Sequence, residues 1–109
     1  MWTDVLKNDK SSQIKVGLIK GRHPMPVDEY VWDKPMEGGI EHNLSILKGE
    51  AMKYLEGRIG KEIHLHVTGY SPALTGFLKA WNTIDNPEGE LLLYHYDMDT
   101  KSYWSEEYP

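Results

Sequence analysis

Three short runs rich in branched aliphatic side chains, QIKVGLIK (13–20), KEIHLHVTG (61–69) and ELLLYHYD (90–97), alternate with two stretches of helical periodicity. That alternation constrains the fold more than any other feature. In the first run Ile14, Val16 and Leu18 occupy every second position, and Ile19 closes it. In the second, Ile63, Leu65 and Val67 fall on one face and His64, His66 and Thr68 on the other. The third is apolar throughout its first half. Between them, residues 42–60 place Leu44, Leu47, Ala51, Met52 and Leu55 at helical spacings of three and four, with Gly60 positioned to end the helix. Residues 71–83 open with Ser71 at the N-cap and Pro72 at the first helical position, and Leu74, Phe77, Leu78 and Trp81 trace one apolar face. A short extended piece, VDEYVW (27–32), follows the prolines at 24 and 26, DNPEG makes a turn, and KSYWSEEY pairs back as a hairpin across Met98 to Lys101. The order β-α-β-α-β(β) predicts an α/β layer fold with a mostly parallel sheet, right-handed crossovers and a C-terminal hairpin.

The chain has 109 residues, enough for one domain with one core. Residues 1–13 read as a polar lead with Trp2, Val5 and Leu6 as docking points, and 14–109 as the α/β core. A net charge of −5 argues against a duplex nucleic-acid partner, which requires a basic surface to displace counterions. With no cysteine, disulfides, thiolate metal sites and a cysteine nucleophile are excluded. The opening residues lack the basic and apolar regions of a signal peptide, and no run approaches the ~20 apolar residues that span a bilayer. These points lead to the expectation of a cytoplasmic protein without a membrane partner.

Positive charge is nevertheless concentrated in one place. Lys20, Gly21, Arg22 and His23 leave the first strand, and Thr68, Gly69, Tyr70 and Ser71 leave the second. In an open parallel sheet ligands bind beyond the carboxyl ends of the strands. Gly69 permits a sharp turn, the N–H groups at the start of the second helix point outward, and the helix dipole adds partial positive charge. Thr68 and Ser71 bring hydroxyls, Arg22 suits a bidentate phosphate grip and Lys20 a point charge. The spacing matches neither a Walker loop nor a dinucleotide fingerprint. A solvated basic loop and a plain strand-to-helix turn are the bland alternatives.

The segment HLHVTGYSPALTGFL resembles the strand–TG–helix segment of the CRISPR-associated Rossmann fold domains, which bind cyclic oligonucleotide signals, usually as dimers. The resemblance covers Ile63 to Leu78 and, more loosely, the element order. It implies a small Rossmann-like domain and carries over to Thr68, Gly69 and Ser71, with the basic loop as an analogue of that family's first-strand ligand loop. The departure from that family is a short chain, and no effector domain such as a ribonuclease is expected. A free-standing pocket also resembles small phage-encoded proteins that sequester or degrade nucleotide signals of bacterial immunity.

The resulting expectation is a homodimer or higher oligomer that binds and sequesters a phosphate-rich nucleotide signal, a cyclic oligonucleotide or ADP-ribose type, with no cofactor and no catalytic residue. Tyr70 and Tyr94 are candidates for stacking on a base. One rival is a metal-independent phosphodiesterase with His23 as acid or base and Lys20 or Arg22 stabilising charge at phosphorus; another is a protein-interaction module using the aromatic tail, Tyr94, Tyr96, Tyr103, Trp104 and Tyr108. A metal site at His64, His66 and His95 requires the last two strand runs to lie side by side. It is set aside on the expectation that no carboxylate on the strand of His64 and His66 orients either ring.

Overall fold

The computed structural model describes residues 13–20, 25–33, 43–67 and 71–108. The elements are β1 (Gln13–Ile19), β2 (Glu29–Trp32), α1 (Leu44–Glu56), β3 (Glu62–His66), α2 (Ser71–Thr83), β4 (Glu90–Asp97) and β5 (Ser102–Tyr108). They form an α/β fold with one five-stranded sheet in the order β2-β1-β3-β4-β5. The first four strands run parallel, and β5 returns antiparallel to β4.

Register explains the core. Ile14 pairs with Ile63 and Ile63 with Leu91, while Val16 pairs with Leu65 and Leu65 with Leu93. These side chains share one sheet face and, with Ile14 only partly buried at the margin, join Leu47, Ala51 and Leu55 of α1 and Ala73, Phe77 and Ala80 of α2 in a single buried cluster. Burying each of the larger ones contributes roughly 1.5–3 kcal/mol. Both helices therefore lie over the same face. No described helix covers the other, which carries Lys15, Gly17, Tyr30, Glu62, His64, His66, Tyr94, Tyr96 and Tyr103.

Local chemistry sets the boundaries, with some departures from the sequence reading. Asn43 caps α1, its side-chain oxygen accepting from the N–H groups of Ser45 and Ile46 at 2.8 and 3.3 Å. The helix ends at Glu56 with Gly57 as its cap. Gly60 does adopt the left-handed conformation, φ 80°, but it closes the turn after the helix, where its N–H donates to Asn86 Oδ1 at 2.8 Å. The start of α2 falls at Ser71, one residue before the expected first helical position. Its deepest face is Ala73, Gly76, Phe77 and Ala80, with Leu74, Leu78 and Trp81 only partly buried. Gly76 belongs there because the two helices approach closely at that point, against Leu47 of α1.

The VDEYVW piece is a strand, joined to its parallel neighbour β1 by residues 20–28 alone. That link is shorter than the usual crossover, and backbone bonds Asp28 N–H to Lys15 O and Lys20 N–H to Trp32 O, each 2.9 Å, hold it at both ends. Glu29 is fixed by Arg58 (Nε to Oε2, 2.9 Å) and by the Tyr54 hydroxyl at 2.5 Å. The guanidinium also lies 3.7 Å from the centre of the Tyr54 ring. These bonds tie the end of α1 to the outer strand.

A Cβ added at Gly76 would sit 2.9 Å from Leu47 Cβ and 3.3 Å from α1 backbone atoms, whereas one added at Gly49 would meet nothing within 4 Å. Gly49→Ala is therefore expected to stabilise the fold by about 0.5–1 kcal/mol through helix propensity. Gly76→Val should cost about 1–3 kcal/mol through overpacking. Urea unfolding midpoints check both, and a stabilised Gly76→Val would contradict the close helix approach.

Candidate functional site

The site begins with the direction in which the chain leaves each strand. From β1 it passes to β2 on one side, and from β3 through α2 to β4 on the other, while β1 and β3 are hydrogen-bonded neighbours. Such a reversal is the position at which open α/β sheets bind ligands. Gly17 pairs with His66 near those ends. The loops singled out in the sequence thus depart from adjacent strands.

Two of the expected loop residues fall within the described structure. Lys20 is exposed, its N–H donates to Trp32 O at 2.9 Å, and its Nζ stands 3.9 Å from Asp33 Oδ1. An exposed pair this long is weak, so its contribution to holding the ammonium group is small. Ser71 is exposed at the first turn of α2. Gly21, Arg22, His23, Thr68, Gly69 and Tyr70 lie outside the described residues.

The open face holds the second constellation. Period-two alternation along β3 puts Glu62, His64 and His66 on it. His64 Nε2 is 2.5 Å from Glu62 Oε2, and His64 Nδ1 is 2.8 Å from the Tyr94 hydroxyl. An ionised carboxylate accepts only, so Nε2 donates to Glu62, while Nδ1 shares a hydrogen bond with the Tyr94 hydroxyl. The expectation that no carboxylate on this strand orients a histidine is therefore wrong. Glu62, two residues before His64, does so, and the E-x-H-x-H spacing was the signal.

Tyr94, expected to stack on a ligand base, is engaged within the protein. Its ring lies 4.7 Å from that of His66 at 10° and 5.4 Å from that of His64 at 26°. Tyr103 meets His66 edge-on at 4.9 Å. Gly17 lets the Tyr30 ring cross β1, since a Cβ there would come within 2.6 Å of Tyr30 Cε1. His66 is 5% exposed and its Nδ1 has no hydrogen-bond partner. Burial lowers its pKa, which keeps the ring neutral near pH 7. Burial likewise raises that of Tyr103, with smaller contributions from Tyr96 and Tyr30.

β3 and β4 are neighbours, but the three histidines do not converge. His95 belongs to the helix-bearing face by register and bonds Glu106 Oε2 at 2.8 Å beside Trp104. Among the described residues no group of three or more histidine, cysteine, aspartate or glutamate side chains is placed to hold a metal ion. No helix among them is long and apolar enough to cross a membrane.

No protein-family model, curated protein or solved structure matches this chain. Its function has to be argued from its own residues.

His66 generates a pH prediction. Its folded pKa lies below the unfolded value, so the unfolded chain binds the proton more readily. Stability is fully present above the ordinary histidine value near ~6.5 and falls as pH drops through it towards the folded value. The expected loss is at most ~1.4 kcal/mol per pH unit from this group. His66→Phe, which retains an aromatic ring, should lose less stability between pH 7 and pH 5 than the parent chain in urea titrations. Equal losses would contradict a buried neutral imidazole.

Proposed function

We propose that this chain is a small Rossmann-like domain that binds a phosphate-bearing nucleotide ligand at the edge where β1 and β3 part. The observation that carries the reading is topological: two adjacent parallel strands end together, and their connections leave in opposite directions. Lys20 follows one strand end and α2 begins five residues after the other, at Ser71. The intervening sequence places Arg22 and His23 in the first loop and Thr68, Gly69 and Tyr70 in the second. A basic loop facing a helix N-terminus suits a phosphate, by charge-assisted hydrogen bonds on one side and backbone N–H groups on the other.

The proposed action is sequestration of a cyclic oligonucleotide or ADP-ribose-type signal in the cytoplasm, as in an anti-defence sponge. Acid–base turnover needs a proton carrier beside the scissile bond. The one histidine here with an orienting carboxylate on its own strand, His64, sits two residues before the end of β3 and is already bonded to Tyr94. His66 is nearer the edge but buried. Lys20 and Arg22 would stabilise bound phosphate as well as a transition state, and equal stabilisation gives affinity rather than rate. Tyr70 is the remaining stacking candidate.

Calorimetry with a cyclic dinucleotide and with ADP-ribose tests the binding. Arg22→Ala is expected to weaken it by about 1.5–3 kcal/mol, and Gly69→Val to abolish it by blocking the backbone turn. Unchanged affinity in both variants would remove the anion site. Sequestration predicts that ligand is depleted in proportion to protein and recovered intact on heating. Its destruction by a substoichiometric amount of protein, abolished by His23→Ala with binding retained, would replace sequestration by phosphodiester cleavage.

A further inference from the structure

We infer that β5 is an interface for a second copy of this chain, joined antiparallel across a two-fold axis through Ser105. This inference does not depend on the ligand reading. The sheet ends at β5, with no described strand beyond it. The opposite edge is different: β2 has four residues, and its Glu29 is held by Tyr54 and Arg58. β5 has seven residues, SYWSEEY, with neither proline nor glycine nor lysine to interrupt pairing. Its Trp104 is 53% exposed although it stacks on His95. An open strand edge is a template for pairing, and tryptophan and tyrosine are enriched at such contacts.

Register selects the axis. A two-fold axis normal to the sheet keeps each face on its own side, so paired residues must share a face. The axis then passes through a residue and not between two, because side chains alternate along a strand. Through Ser105, all seven residues pair: Ser102 with Tyr108, Tyr103 with Glu107, Trp104 with Glu106, and Ser105 with its copy. No carboxylate stands directly opposite another. Through Glu106 or Glu107, like charges face each other, which is destabilising. Through Trp104, Glu107 and Tyr108 are left unpaired. The small Ser105 at the axis also lets the two backbones meet without a clash of large side chains. Glu106 is also bonded to His95 of its own chain, at 2.8 Å.

The product is one sheet twice as wide, with the helices of both copies on one side and both aromatic faces on the other. The β1–β3 edge of each copy stays clear of this junction, separated from it by β4.

Because the chain contains no cysteine, Ser105→Cys introduces a unique thiol at the proposed axis. Lys79→Cys, exposed on α2, serves as its control. Sedimentation equilibrium of the unmodified chain at micromolar concentration should give twice 12.6 kDa. Mild oxidation should convert most of Ser105→Cys, and little of Lys79→Cys, to a covalent dimer. A single-chain mass across the concentration range overturns the inference. So does a dimer whose Ser105→Cys variant sediments as a dimer and crosslinks no better than the control.

Discussion

The sheet has two faces, and both helices cover the same one. The rest of the structure depends on that asymmetry. With Ile14, Val16, Ile63, Leu65, Leu91 and Leu93 aligned across three strands, there is one apolar surface to bury. α1 and α2 bury it together, with Gly76 letting them lie close to each other. By register the opposite face carries Ile19, Trp32 and Leu92 together with side chains that have polar tips. The latter include a hydrogen-bonded chain from Glu62 through His64 to Tyr94, and His66, which stacks on Tyr94 and meets Tyr103 edge-on. Rings of this kind tolerate a half-covered position because their bodies are apolar and their tips can be solvated.

The same arrangement places the edge. A connection of residues 20–28 carries the chain from β1 to β2, while the long route through α1 returns it past β1 to β3. The consequence is that β1 and β3 end side by side. On the open face the side chains of Glu62, His64 and Tyr94 satisfy one another.

Much of this was legible in the residues. Period-two alternation marked β1, β3 and β4, and Phe77 was read correctly as core. The hairpin of β4 and β5 across Met98 to Lys101 was also foreseen. Other features escaped because they depend on tertiary contact. The apolar face of α2 was read from its largest side chains, whereas the surface that meets α1 is selected by smallness, which hydrophobic periodicity undervalues. The extended piece at 27–32 was read as such, although its four strand residues are too few to show a period, and only its place beside β1 was missing. Asn43 as a cap was visible in sequence but was passed over for a start at His42. Glu62 as the partner of His64 needed only the strand's alternation to be applied to charged as well as apolar residues. That β1 and β3 lie side by side could be stated only conditionally, because sequence does not give strand order.

The central claim is that the ligand binds where β1 and β3 part, and amide chemical shifts measured during a titration test its location directly. With a cyclic dinucleotide and with ADP-ribose in turn, at least one should move the amide resonances of Lys20, Val67, Ser71 and Ala73 most. Those of α1 and β5 should stay near their starting positions. Shifts from both ligands that are absent at this edge, or that fall mainly on α1, β5 or the open face, would contradict the account.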